Sequence, residues 1–192
     1  MTFIQQLWLI LAGIWIVLEV AVVYKTRVSV DDSFSLVKSY RSDRLIWLAV
    51  VFSIIGAFVF KQLQLAQFPI SYGLRQIMAL VLMSMGLMIR FCAIKSLGRF
   101  FSTTVVIQTE HLLIDHGLYH YIRHPAYTGL LLSFFATGIA MGDFLAMLVL
   151  LLPIIYVLNQ RISVEEALLI SYFGKNYQNY AVRTKKLIPG LY

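Results

Sequence analysis

YTGLLLSFFATGIAMGDFLAMLVLLLPIIYVL, residues 127–158, is interrupted only by Gly142 and Asp143, and its reading decides the class of the fold. Two apolar stretches, Tyr127–Met141 and Phe144–Leu158, flank that two-residue break. At about 1.5 Å of rise per helical residue, each covers much of a ~30 Å hydrocarbon layer. The pattern predicts a tight antiparallel helical hairpin in a membrane. Working outward, three more apolar stretches precede it: Leu7–Tyr24, Leu45–Phe60 and Leu74–Cys92. Three of the five are shorter than a usual spanning helix, and Trp47 and Tyr127 extend two of them toward the interface. There is no internal repeat and no low-complexity tract. Composition agrees: 60% of the 192 residues are hydrophobic and 13% charged. A soluble domain has about 45–50% and about 25%. A water-soluble globule is excluded, and the length suits one domain.

Charge gives the orientation. Sixteen Lys and Arg against nine Asp and Glu leave a net charge of +7. Nucleic acid is one partner for such a balance, but in so apolar a chain the positive-inside bias explains it and no nucleic acid is expected. The first loop holds Lys25, Arg27, Lys38, Arg41 and Arg44; the next connection holds Lys61 and Arg75. Arg90, Lys95, Arg99 and Arg123 follow, then Arg161, Lys175, Arg183, Lys185 and Lys186 in the tail. Five crossings put fourteen of these on one face and two on the other. The N-terminus is therefore expected outside and the C-terminus in the cytoplasm. No Lys or Arg precedes the first apolar run, which makes it a poor signal peptide. The lone Cys92 cannot form an intrachain disulfide and reads as a small buried apolar residue.

Chemistry-bearing side chains gather in two blocks, Ser96–Ala126 and Arg161–Tyr192. The first holds all four histidines, His111, His116, His120 and His124. Their spacing resembles one helical face and invites a metal or haem. However, Gly117 and Pro125 interrupt the run, and no acidic cluster completes a site, so no metal is expected. In the second block Glu165 and Glu166 follow the last apolar stretch without a Gly or Pro. The fifth helix should project to about Phe173, where Gly174 stops it. On that projection Arg161 and Glu165 share a face, which is either a surface ion pair worth about 0.3–0.5 kcal/mol or part of a site. Glu19, inside the first apolar run, is an intramembrane ionisable group. Its plain reading is snorkelling, or pairing with Lys25 or Arg27. Ser53, Ser84, Ser133 and Thr137 are too few polar groups at mid-membrane depth for a transport path.

Two runs of residues carry a resemblance. His111-Leu112-Leu113-Ile114-Asp115-His116-Gly117-Leu118-Tyr119 and Arg123-His124-Pro125-Ala126-Tyr127-Thr128-Gly129 resemble the cofactor-binding signature of the isoprenylcysteine carboxyl methyltransferase family. Arg161, Glu165-Glu166, Phe173-Gly174, Tyr177, Tyr180 and Ile188-Pro189-Gly190 continue that family's C-terminal pattern. The likeness covers roughly Leu97–Tyr192. Phospholipid N-methyltransferases share an Arg-His-Pro-x-Tyr and an acidic pair. Here Ile162-Ser163-Val164 separate the arginine from the acidic pair, where the family often has a nearly continuous acidic run.

The apolar stretches and charge division give an all-α integral membrane protein of about five transmembrane helices, and the resemblance implies that it is a membrane methyltransferase. Its single membrane domain, 1–192, would comprise three N-terminal helices in 1–95 and a cofactor-binding, catalytic half in 96–192. The cofactor would be S-adenosyl-L-methionine, bound at the cytoplasmic face by the loop before helix 4 and the extension of helix 5. No Gly-x-Gly-x-x-Gly fingerprint is present. The residues implied to line the cofactor are His111, Leu112, Leu113, Ile114, Tyr119, His124, Pro125, Ala126, Tyr127 and Glu165. Arg161 would face the methyl acceptor, with Glu165 the second catalytic group. The expected reaction is carboxyl O-methylation of a lipophilic, isoprenylcysteine-like acceptor reached through the membrane lipids. A lipid amine acceptor and a haem- or metal-binding membrane protein are the alternatives.

Overall fold

The structure is a computed structural model that describes residues 3–25, 40–103, 107 and 111–190. Arg27 and Lys38 of the first basic loop lie outside the described residues, as do the side chains of Lys25, Arg41 and Arg44. Among the described residues six α-helices follow one another: α1 Phe3–Lys25, α2 Tyr40–Leu63, α3 Tyr72–Leu97, α4 Pro125–Met141, α5 Phe144–Phe173 and α6 Lys175–Arg183. Each predicted apolar stretch falls within one of the first five. The spans Gln6–Tyr24, Tyr72–Phe100 and Phe144–Phe173 are long and apolar enough to cross a membrane; Trp47–Leu63 and Pro125–Met141 are apolar but shorter.

The α4–α5 hairpin forms where the sequence places it. Gly142 takes φ +79°, a left-handed conformation that glycine adopts without strain, and closes α4. Asp143 then caps α5, its carboxylate accepting from the backbone N–H of Leu145 at 2.9 Å and Ala146 at 3.0 Å. The other oxygen accepts from Ala66 N–H at 2.8 Å, which ties the turn to the α2–α3 connection. At its far end α5 runs to Phe173, and Gly174, at φ +55°, turns the chain into α6.

Around this hairpin, α3 packs along α4 and α2 along α5. The α3–α4 contact is made by small residues: a Cβ on Gly86 would meet the Ser133 hydroxyl at 2.6 Å. Close backbone approach is what favours helix association in lipid, where apolar contact brings little gain. Large apolar side chains such as Val17, Phe52 and Met88 face outward, as a bilayer solvent allows. One expectation is corrected, and a second residue gains a partner. Cys92 is exposed, because the buried face of α3 runs through Met83, Gly86, Leu87 and Ala93 and leaves it outside. Glu19 pairs with Arg90 of α3, because α1 crosses α3 at that carboxylate; the expected partners, the Lys25 side chain and Arg27, lie outside the described residues.

Candidate active site

The loop before α4 is shaped by local sequence and held by the tail. Gly117, at φ +62°, opens a 3-10 turn over Gly117–His120 that buries Tyr119 against Ala93 and Leu97. His124, outside the helical region at φ −124° and ψ 56°, precedes Pro125, which takes the first position of α4, where a missing N–H costs nothing. The chain after α6 returns alongside: Arg123 N–H donates to Lys185 O at 2.7 Å, and His124 N–H to Lys186 O at 3.0 Å. The Thr128 hydroxyl donates to Leu187 O at 2.7 Å. The loop is therefore fixed from both sides.

Between this loop and the projecting part of α5 lies a cleft of about 880 Å³, counting its mouth. His111, Leu112, Leu113, Ile114, Tyr119, His124, Ala126 and Tyr127 line it on one side, and Arg161 and Glu165 on the other. Pro125 is buried at the start of α4 and is not on the wall. Arg161 is only 6% exposed, so it is no surface ion. The Tyr127 hydroxyl stands between the two α5 groups, accepting from Arg161 Nε at 2.7 Å and donating to Glu165 Oε2 at 2.8 Å. A second Arg161 nitrogen donates to the Thr103 carbonyl. The guanidinium and the carboxylate, four residues apart, are thereby held at a set separation. The Tyr127 ring stacks on His124 with centroids 5.6 Å apart and planes at 17°.

Glu166 does different work from its neighbour. Its carboxylate accepts from Arg123 Nε at 2.7 Å and lies 3.4 Å from His124 Nε2 and 3.4 Å from Lys186 Nζ. Arg123 also donates to the carbonyls of Ala181 and Thr184, closing loop, helix and tail into one network. This hub was visible in the sequence only as the second half of an acidic pair. Tyr177 and Tyr180 likewise line the cleft from α6, on the spaced tyrosines already noted. Phe100, Leu168 and Phe173 add to the apolar wall; Phe173 stands in the Phe173-Gly174 pair already quoted, and nothing in the sequence context marks the other two.

Two buried polar atoms on that wall, His111 Nδ1 and the Tyr177 hydroxyl, have no partner among the described residues. Unpaired buried polar atoms are rare and fit a site that a polar ligand completes. The His111 ring lies against Phe100 at 4.7 Å, and burial pulls its pKa below the ordinary value, with the Glu165 carboxylate pulling the other way. Burial, then the charge of Glu165, raises the Tyr119 hydroxyl; burial, then the charge of Glu166, raises Tyr177. Tyr180, pushed up to about 12 mainly by burial, donates to Tyr119 O at 2.7 Å. These tyrosines stay neutral donors across the physiological range. Apolar and aromatic walls, a half-exposed carboxylate and neutral donors together suit a ligand with a flat ring, hydroxyls and a cation.

A family model described as isoprenylcysteine carboxyl methyltransferase matches residues 78–171. The protein-S-isoprenylcysteine O-methyltransferase of Schizosaccharomyces pombe is 30% identical over 171 residues, covering 82% of this chain and 71% of that one. That of Saccharomyces cerevisiae is 26% identical over 143 residues, covering 73% and 60%. Among solved structures, the eukaryotic intramembrane Ras methyltransferase ICMT is similar with a TM-score of 0.64 and 28% identity, over 90% of this chain and 60% of that one. The chain thus spans three-fifths of the length of the last two. Its apolar helices and the intramembrane neighbour make it a membrane protein.

Proposed function

The chain belongs to the isoprenylcysteine carboxyl methyltransferase family, and from that premise we propose that it methylates the carboxylate of a lipophilic, isoprenylcysteine-like acceptor. S-adenosyl-L-methionine is the proposed donor, and when bound it supplies an electrophilic methyl group on a sulfonium. The single observation that carries the reading is the buried Arg161 joined through the Tyr127 hydroxyl to Glu165 on one cleft wall.

His111, Tyr119, Tyr127, Tyr177 and Glu165 are the residues that would hold the donor. The carboxylate of Glu165 accepts from hydroxyl or ammonium groups, and the orphaned His111 and Tyr177 atoms meet polar edges. Arg161 faces the acceptor. A carboxylate is already ionised near neutral pH, so the step needs alignment and no general base. The Arg161 guanidinium orients it by a charge-assisted hydrogen bond without taking its nucleophilic lone pair. Tyr127 sets the distance between the acceptor-facing and donor-facing groups, and the aromatic wall excludes water that would compete for the methyl group. A lipid tail reaches the cleft from the side, through the membrane.

We place five crossings in the bilayer, with the N-terminus outside and the cleft cytoplasmic; the fourteen-to-two charge division supports this. A His116→Cys probe in a Cys92→Ser background, labelled by an impermeant reagent only after lysis, is the expected result; labelling in intact cells reverses the orientation. The reaction is tested with methyl-labelled S-adenosylmethionine and a panel of acceptors. A base-labile methyl ester on a prenylcysteine analogue is expected. Base-stable label, confined to amine lipids, overturns the carboxyl reading.

A further inference from the structure

The N-terminal half holds an ion pair that the proposed chemistry does not use. Glu19 of α1 and Arg90 of α3 meet in two contacts, Nε to Oε1 at 2.5 Å and Nη2 to Oε2 at 2.7 Å. Trp15 Nε1 donates to the same carboxylate at 3.3 Å. Both residues lie in spans apolar enough to cross a membrane, where a lone ion is costly and a paired one is usually functional. The remaining arm of Arg90, Nη1, donates to the carbonyl of Ala126 at 3.0 Å. Ala126 is on the cleft wall and directly precedes Tyr127.

The same three helices are joined a second time at their other end. Trp8 Nε1 of α1 donates to Gln76 Oε1 of α3 at 2.6 Å, and Gln76 Nε2 donates to Ala140 O of α4 at 2.9 Å. Each contact runs from α1 through an α3 side chain to an α4 carbonyl. They differ in what stands beside that carbonyl. Gln76 ends at the last turn of α4, far from the cleft; Arg90 ends at its first turn. The α1 span has no fully buried residue; Trp8, Leu11 and Trp15 pack half-buried on the cluster of Met83, Leu87 and Ala136, and the two polar contacts fix its register. Arg90 is also in direct contact with α4, since a Cβ on Gly129 would come within 2.7 Å of its backbone nitrogen.

We propose that Arg90, held by Glu19, is a positioning residue for methyl transfer: it fixes the first turn of α4, and with it the Tyr127 hydroxyl between Arg161 and Glu165. Gln76 is the uncharged fastener at the far end and serves as its control. The kinetic part rests on the methyltransferase reading; the structural part does not.

The experiment uses the full chain purified in detergent, with hydrogen exchange, thermal unfolding and steady-state kinetics on Arg90→Met, Arg90→Lys, Gln76→Leu and the exchanged pair Glu19→Arg with Arg90→Glu. Arg90→Met should lower kcat by roughly ten- to a hundredfold, with acceptor KM within about threefold, because misalignment acts on the step and not on binding. Exchange should rise in segment 124–131. Arg90→Lys should fall between, since one ammonium cannot serve both the carboxylate and the carbonyl, and it carries the comparison if Arg90→Met does not fold. Gln76→Leu should lower Tm and leave kcat within about twofold. The exchanged pair should regain Tm but not kcat, because a glutamate at position 90 cannot donate to Ala126. Recovery of kcat together with Tm, or an equal kcat loss in Gln76→Leu, overturns the proposal. If the wild type methylates no acceptor, the function reading fails, yet exchange still decides: an unchanged segment 124–131 in Arg90→Met and Arg90→Lys overturns the positioning role.

Discussion

Helix α5 carries carboxylates near both of its ends, and they are used in opposite ways. At the start, Asp143 is 2% exposed, and its two oxygens accept three backbone N–H groups within its own turn and the neighbouring loop. Near the end, the Glu165 side chain is 31% exposed on a cleft wall, and one oxygen accepts from a tyrosine hydroxyl that also answers to Arg161. A carboxylate whose acceptor capacity is spent on backbone closes a turn and holds it. One that keeps capacity toward an open space, set beside unpaired donors, can hold a ligand. The same residue chemistry on the same helix therefore separates into architecture and site.

That contrast is tested most severely at the cleft end. Arg161→Ala should lower kcat roughly 100-fold or more with a carboxylate acceptor, the order expected when a preorganised charged donor is removed. Donor affinity in calorimetry should stay within about threefold, because the proposed role of Arg161 is toward the other ligand. Glu165→Gln should do the reverse, weakening donor binding about tenfold, or about 1.4 kcal/mol, with a smaller effect on kcat. Equal losses of both quantities in both variants would mean that Arg161, Tyr127 and Glu165 act as one structural cluster, and the division into two faces would be wrong.

What could be read in advance follows from how far apart the interacting residues lie. The Gly142–Asp143 turn, the stop at Gly174 and the i, i+4 pair of Arg161 and Glu165 are local features with backbone rules behind them. They stand in the structure where the sequence puts them. The Tyr127 hydroxyl between that pair comes from 34 residues away, and Arg90 finds Glu19 across 71. Hydropathy patterning says that both residues of the latter pair are in membrane helices, not that their helices cross at that depth. Glu166 was hidden for another reason. Adjacent positions on a helix point about 100° apart, so two identical residues in sequence face different partners. Only the returning tail, which brings Lys186 beside Arg123 and His124, shows that one faces the cleft and its neighbour the clamp.

The smallest effect on turnover is expected at the start of α5. Asp143→Ala removes a helix cap, worth about 1 kcal/mol, and leaves Ala66 N–H without its acceptor, worth about 1–3 kcal/mol more. The apparent Tm should fall by several degrees while kcat and donor affinity match wild type, since the turn lies at the opposite end of α4 and α5 from the cleft. The carboxylate also sets a pH dependence. Burial alone would raise its pKa, but the backbone donors of Ala146, Ala66 and Leu145 outweigh it and hold the group below its ordinary value of 3.8. A depressed folded-state pKa gives stability that is fully present above the unfolded value and lost as pH falls through the folded one. The Tm difference between wild type and Asp143→Ala should therefore be constant from neutral pH down to about pH 5, then shrink below pH 3.8 as wild type loses its margin. A difference that stays flat to pH 2.5 would show that the turn is held by backbone alone. A fall in kcat at neutral pH would show that the two ends of α5 are not separate.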